Sequence, residues 1–207
     1  GRLVSTEGLG LEAAGVKLNP RGMVEVDNHF QTSVEGVYAV GDVIGPSLAS
    51  ISAEQGRVAA CHAFGLGFKV KLDTLSVSAV YSVPELAGVG LTEDNAKEKG
   101  IDYEVGRCSF EETARGLISG NTDGILKLVF GRQDRRLLGV HILGDIASEL
   151  IALGQAAIYN SDRIDVFNNL TVATPTYTMA YKYAAFDGFK RLAASGVTLH
   201  TFESESK

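Results

Sequence analysis

Apolar residues along this chain fall into two regimes, short runs broken by turns at first and longer helix- and strand-spaced segments later. Up to about Phe64 the runs are short. Asn19-Pro20-Arg21-Gly22 reads as a turn flanked by Val16 and Val24-Glu25-Val26, which predicts a small hairpin. Val37-Tyr38-Ala39-Val40 is a compact apolar run stopped by Gly41-Asp42, the pattern of a strand buried on both faces in a parallel sheet. After a loop containing Gly45-Pro46, residues Leu48, Ile51, Gln55, Val58 and His62 fall on one stripe of a helix, with Ala49, Ala53, Ala59 and Ala60 permitting close packing. Ser47 is the expected N-cap.

Gly65 to Lys71 reads as a linker, so the expected division is 1–68, 69–194 and a polar tail at 195–207 that frays. In the second part, Ile125 to Phe130 and Leu137 to Ile142 are β-rich runs separated by Gly131-Arg132-Gln133-Asp134-Arg135-Arg136. This predicts an antiparallel hairpin with three solvated arginines at its tip. Ala147 to Tyr159 and Met179 to Leu192 have helical spacing, and Ala180, Ala184 and Ala185 give the second helix a small-residue contact surface. The whole is an α+β pattern.

Composition narrows the function classes. At 207 residues and 45% hydrophobic content the chain can bury a core. A net charge of −6 with no cluster of Lys and Arg argues against nucleic acid. No apolar run is long enough for a membrane span, and Gly1-Arg2-Leu3-Val4 lacks the layout of a signal peptide, so a soluble, cytoplasmic protein is expected. The start at Gly1 looks like a cut. Cys61 and Cys108 sit in apolar contexts and read as buried reduced thiols. His29, His62, His141 and His200 have no partners at metal-ligand spacing, so no metal is expected.

The sharpest local signal is Thr32-Ser33-Val34-Glu35-Gly36-Val37-Tyr38-Ala39-Val40-Gly41-Asp42. A strand ending in Gly-Asp puts a carboxylate at the edge where open α/β sheets bind ligands. Gly41 lacks the Cβ that would block a cofactor chain, Asp42 can accept from a sugar-like hydroxyl, and the helix beginning near Leu48, Ala49 and Ser50 aims its N–H groups and positive dipole end beyond it. A bare Gly-Asp pair more often just ends a strand and caps a turn.

The full string resembles the second FAD-binding motif of the glutathione reductase and lipoamide dehydrogenase flavoprotein superfamily. Other stretches carry the same resemblance: Gly1-Arg2 with Leu9-Gly10-Leu11-Glu12, Val83-Pro84-Glu85 with Val89-Gly90-Leu91-Thr92-Glu93, and Leu138 to Gly144 followed by Glu149-Leu150-Ile151. The resemblance implies the end of an FAD-binding Rossmann-like domain followed by a dimerisation domain of antiparallel sheet plus helices. It implies FAD held by Gly41, Asp42 and the backbone at Leu48, Ala49 and Ser50. It also implies a homodimer in which the backbone at Thr174 and Pro175 meets the flavin of the other subunit.

Disulfide reductases of this superfamily carry a His-Pro-Thr segment with a glutamate four residues after the histidine. Here the segment is Thr174-Pro175-Thr176-Tyr177-Thr178, and neither residue is present. Threonine is no base near neutral pH, so proton management for a thiol substrate is not available there, and no catalytic residue is assigned. Pro175-Thr176-Tyr177 through Ala185 is similar to the soluble pyridine nucleotide transhydrogenase branch, with Met179 as a departure. That branch moves hydride between NADPH and NAD through flavin. Two alternatives stay open: a lipoamide dehydrogenase-like flavoprotein, and a non-catalytic dimerisation fragment. The other reading of the segment has Pro175 in the first turn of a helix, with Tyr177, Tyr181 and Tyr183 as packing residues.

Overall fold

The computed structural model describes residues 3–72 and 75–197. Gly1-Arg2, His200 and most of the tail expected at 195–207 lie outside the described residues. The chain divides into two compact units, Gly1–Thr74 and Leu75–Lys207.

The first unit is built on polar side chains that bond to their own backbone. Asn19 Oδ1 accepts the N–H groups of Arg21 (2.9 Å) and Met23 (3.2 Å), closing the expected hairpin at the Leu18–Val24 bridge. Asp27 Oδ1 does the same for His29 (2.8 Å) and Gln31 (2.9 Å), beside the Val26–Thr32 bridge. Val37 to Val40 departs from its expectation. Only Tyr38 pairs, in an antiparallel bridge to Gln31, and Val37 is 40% exposed. The apolar run marks a strand-like segment, but among the described residues no strand lies beside it to supply parallel partners. Helix α1 (Ala49–Ala63) follows, burying Gln55, Val58, Ala59 and Cys61. Its N-cap is Leu48 rather than Ser47; the Ser47 hydroxyl donates to Leu48 O instead (3.2 Å).

The second unit holds a five-stranded antiparallel sheet of strands β1 (Val77–Val80), β2 (Leu86–Gly90), β3 (Tyr103–Ser109), β4 (Ile125–Gly131) and β5 (Leu137–Leu143), in the order β1-β2-β5-β4-β3. Its helices are α2 (Glu93–Glu98), α3 (Ala114–Ser119), α4 (Ala147–Tyr159), α5 (Asp165–Asn169) and α6 (Met179–Ala194). The β4–β5 hairpin and helices α4 and α6 form where hydrophobic spacing placed them.

Alternation of side chains makes one sheet face the core. Ala87, Val89, Leu126, Leu128, Val140 and Ile142 are buried with Leu150, Ile151, Ala180, Tyr181 and Ala184 of the two long helices. Each large side chain so buried contributes about 1.5–3 kcal/mol. A smaller cluster of Ala96, Val105 and Val129 fixes α2.

Two expectations about the second unit are corrected. The hairpin arginines are not uniformly solvated: Arg136 is exposed, Arg132 pairs with Asp102 (3.0 Å) and Glu104 (3.1 Å), and Arg135 is buried, paired with Asp165 (2.9 Å). Asp165 begins α5, an element that sequence periodicity did not reveal. The small-residue surface of α6 serves the chain's own interior, because Ala180, Ala184 and Ala185 are buried in the core. It therefore gives no independent argument for a subunit contact.

Candidate functional site

In the first unit, Gly41, Asp42, Leu48, Ala49 and Ser50 gather around one turn and one helix end. Gly41 has φ +77°, a conformation that disfavours any side chain, and a Cβ there would stand 3.3 Å from Ser52 Oγ. The glycine thus lets the turn close on α1. Residues Gly41–Val43 form one 3-10 turn.

One hydrogen bond ties this turn to the helix, a second ties it to the residue before the helix N-cap, and a third lies within the helix start. The Gly41 N–H donates to Gln55 Oε1 (2.7 Å), the Ser47 N–H donates to Asp42 Oδ1 (3.0 Å), and the Ser52 hydroxyl donates to Leu48 O (3.1 Å). Gln55 is 8% exposed and comes from the apolar stripe of α1. Periodicity placed it on that stripe; the signal that could have found its role is a polar residue among positions that burial selects as apolar.

The arrangement can bind a group that donates at one end and is electron-rich at the other. Asp42 is exposed, and its carboxylate is drawn to the residue just before the helix start. No side chain caps α1, its first turn carries no acidic residue, and Ala49 and Ser50 are exposed. The first N–H groups of such a helix have no intrahelical acceptor and favour an electronegative neighbour.

Thr174 and Pro175 belong to the second unit, where both are exposed and joined by a cis peptide bond. Helix α6 begins only at Met179, so Pro175 is not in its first turn. Tyr177 is buried, its hydroxyl 2.7 Å from Ser119 Oγ and donating to Asn121 O (2.9 Å). Tyr181 donates to Leu150 O (2.8 Å) and accepts the Gly154 N–H (3.1 Å). Both are packing residues. Tyr177 also lines a cavity of about 180 Å³ with Val83, Pro84, Phe110, Asn121 and Asp145.

The remaining reactive groups are committed elsewhere. Cys61 and Cys108 are buried free thiols, and burial pushes the Cys108 thiol well above its usual range. His141 Nε2 lies 3.0 Å from Leu91 O, and burial lowers its pKa. His29 and His62 stack with ring centres 4.3 Å apart, and the Tyr38 hydroxyl meets His62 Nδ1 at 2.8 Å. The backbone N–H groups of Gln31 and His29 hold the Asp27 carboxyl below the usual range. Among the described residues no cluster of His, Cys, Asp and Glu could hold a metal ion, and no helix is long and apolar enough to cross a membrane.

Comparison with known proteins places these features in context. Residues 76–185 match the model of the pyridine nucleotide-disulphide oxidoreductase dimerisation domain, and residues 1–56 match the pyridine nucleotide-disulphide oxidoreductase model. The chain is 42% identical over 196 residues to a soluble pyridine nucleotide transhydrogenase of Marinomonas sp. (strain MWYL1), covering 93% of this chain and 42% of that protein. It is 43% identical over 195 residues to the protein of that name from Mycobacterium bovis (strain BCG / Pasteur 1173P2), covering 94% of this chain and 42% of the relative. Among solved structures, LpdA from Mycobacterium tuberculosis aligns with a TM-score of 0.79 at 29% identity, over 89% of this chain and 40% of that one. The HOCl-induced flavoprotein disulfide reductase RclA from Escherichia coli aligns with a TM-score of 0.82 at 26% identity, over 90% and 43%. The chain spans less than half the length of each of these four proteins.

Proposed function

Because the chain belongs to the pyridine nucleotide-disulphide oxidoreductase family, we propose that it is part of a cytoplasmic, FAD-dependent enzyme transferring hydride between NADPH and NAD, and that it contributes FAD contacts and a homodimer interface. The observation that carries this reading is the Gly41–Ser50 constellation, with an exposed carboxylate and an uncapped helix start tied into one turn. The donor set fits a flavin nucleotide: Asp42 would accept from a hydroxyl of its sugar-alcohol chain, and the amides of Leu48, Ala49 and Ser50 would face the electron-rich edge of its ring.

Bound flavin supplies the capacity to accept and return a hydride. The residues of this chain orient and tune. The α1 N-terminus would stabilise negative charge at the ring edge without any proton transfer by a side chain. Hydride exchange with a bound flavin would need no acid or base, so Thr174 in place of a histidine is compatible with it. The exposed Thr174-Pro175 backbone would approach the flavin of the second subunit in the homodimer.

The test is a transhydrogenation assay on the full-length protein with NADPH and an NAD analogue. Reversible exchange without added thiol or disulfide is the expected result. No exchange, or turnover only with a disulfide substrate, overturns the reading; the second outcome assigns a lipoamide dehydrogenase-like reaction.

A further inference from the structure

We propose that Gln55 is the positioning residue for the flavin contact, holding the Gly41–Asp42 turn in the geometry in which the Asp42 carboxylate meets the hydroxylated chain of the cofactor. The inference rests on the flavin reading above and adds a residue that neither the motif nor the proposed contacts include.

Gln55 is one of three polar residues buried among those described, the others being Thr113 and Arg135. Thr113 caps α3 and Arg135 pairs with Asp165, both in the second unit. Gln55 is in the first unit and accepts the Gly41 N–H at 2.7 Å. Gly41 is buried and has φ +77°. Its N–H therefore points into the contact between turn and helix, where losing the acceptor would leave a buried donor unpaired. That loss is unfavourable unless the turn rotates to bring the N–H to water. Rotation moves the next residue, Asp42, and breaks its bond to Ser47 N.

The consequence is a population effect. A turn free to rotate spends less time in the binding geometry, and apparent affinity falls by the competent fraction. Without the acceptor, FAD must restore the turn as it binds. Gln55 touches no cofactor atom; it acts through Gly41 and Asp42.

The experiment compares full-length wild type with Gln55→Leu, which keeps the volume and removes the acceptor, and Gln55→Glu, which keeps an acceptor oxygen. Gln55→Asn, whose shorter side chain withdraws the acceptor, replaces Gln55→Leu if that variant does not fold. The FAD dissociation constant is read from flavin fluorescence, the flavin visible spectrum is recorded, and apoprotein melting is followed in parallel. Gln55→Leu is expected to bind FAD at least about tenfold more weakly, with a shifted flavin spectrum and near wild-type apoprotein melting. Gln55→Glu is expected to restore affinity to within about threefold of wild type. A lower melting temperature with unchanged FAD affinity and spectrum overturns the inference, as does a Gln55→Glu variant as weak as Gln55→Leu. If wild type itself takes up no FAD, the flavin reading fails, a result distinguishable from failure of the Gln55 role alone.

Discussion

Replacing Gly106 by alanine tests how closely α6 is seated on the sheet, the packing that carries the segment after Thr174 and Pro175. An added Cβ would stand 2.0 Å from Ala184 O and 2.9 Å from Gly188 N, both backbone atoms of α6 that cannot swing aside. The helix must lift from β3, and Gly188 already sits where a Cβ would meet the Phe130 ring at 2.8 Å. Overpacking of this kind costs about 1–3 kcal/mol and occasionally more; with backbone on both sides the upper end applies, about 3 kcal/mol. For a protein of this size that lowers the melting temperature of the second unit by about 6–12 °C. Gly88→Ala is the internal comparison, because its Cβ would meet first a side-chain atom, His141 Nδ1 at 3.0 Å, in the same sheet. Its cost should be less than half as large. Scanning calorimetry on both variants checks the order. A Gly106→Ala protein melting within about 2 °C of wild type, or less destabilised than Gly88→Ala, would refute the packing argument.

Other expectations follow from single side chains. Tyr181→Phe removes a buried hydroxyl bonded to Leu150 O and Gly154 N, and should cost about 1–3 kcal/mol in denaturant unfolding. Arg135→Met leaves Asp165 without its buried partner at the hairpin tip; about 3–5 kcal/mol is the range for breaking such a pair, and the 30% exposure of the Asp165 side chain argues for a value near or below its low end in the same measurement. Because burial lowers the pKa of His141 in the folded state, its contribution to stability is complete above its ordinary pKa of 6.5 and is lost as pH falls from there through the lower folded value. His141→Gln should show a shallower loss of stability over that acid range, and a wild-type His141 NMR titration midpoint at or above 6.5 would contradict it. Cys61 and Cys108 should resist an aromatic disulfide reagent in the native protein and react once it is unfolded, because both are buried.

Elements with long, regular patterns were legible in the sequence: α1, α4, α6 and the β4–β5 hairpin stand close to where apolar spacing put them. Short elements were not. Helices α2, α3 and α5 have five or six residues each, too few for a helical period to register, and they are fixed by caps and tertiary contacts such as Thr92 accepting the Asn95 N–H. Hydrophobicity also misjudged Val37 to Val40, since an apolar run records what a strand needs without showing that its neighbours are present. The arginine at 135 failed for the opposite reason: charge suggested solvent, while its partner Asp165 lies 30 residues away in sequence. At the candidate site, residue types in order identified Gly41, Asp42 and the helix start. The contacts that make them one turn, Gln55 to Gly41 above all, depend on distances that sequence spacing does not contain.

The turn at Gly41–Asp42 and the start of α1 are proposed to form one flavin-binding surface. Determining the structure of the full-length protein with FAD tests it most directly. An Asp42 oxygen at about 2.5–3.0 Å from a hydroxyl of the flavin side chain, with the amides of Leu48 to Ser50 facing the ring edge, is the expected result. Flavin bound away from Asp42, or an α1 N-terminus turned from the ring, would contradict it.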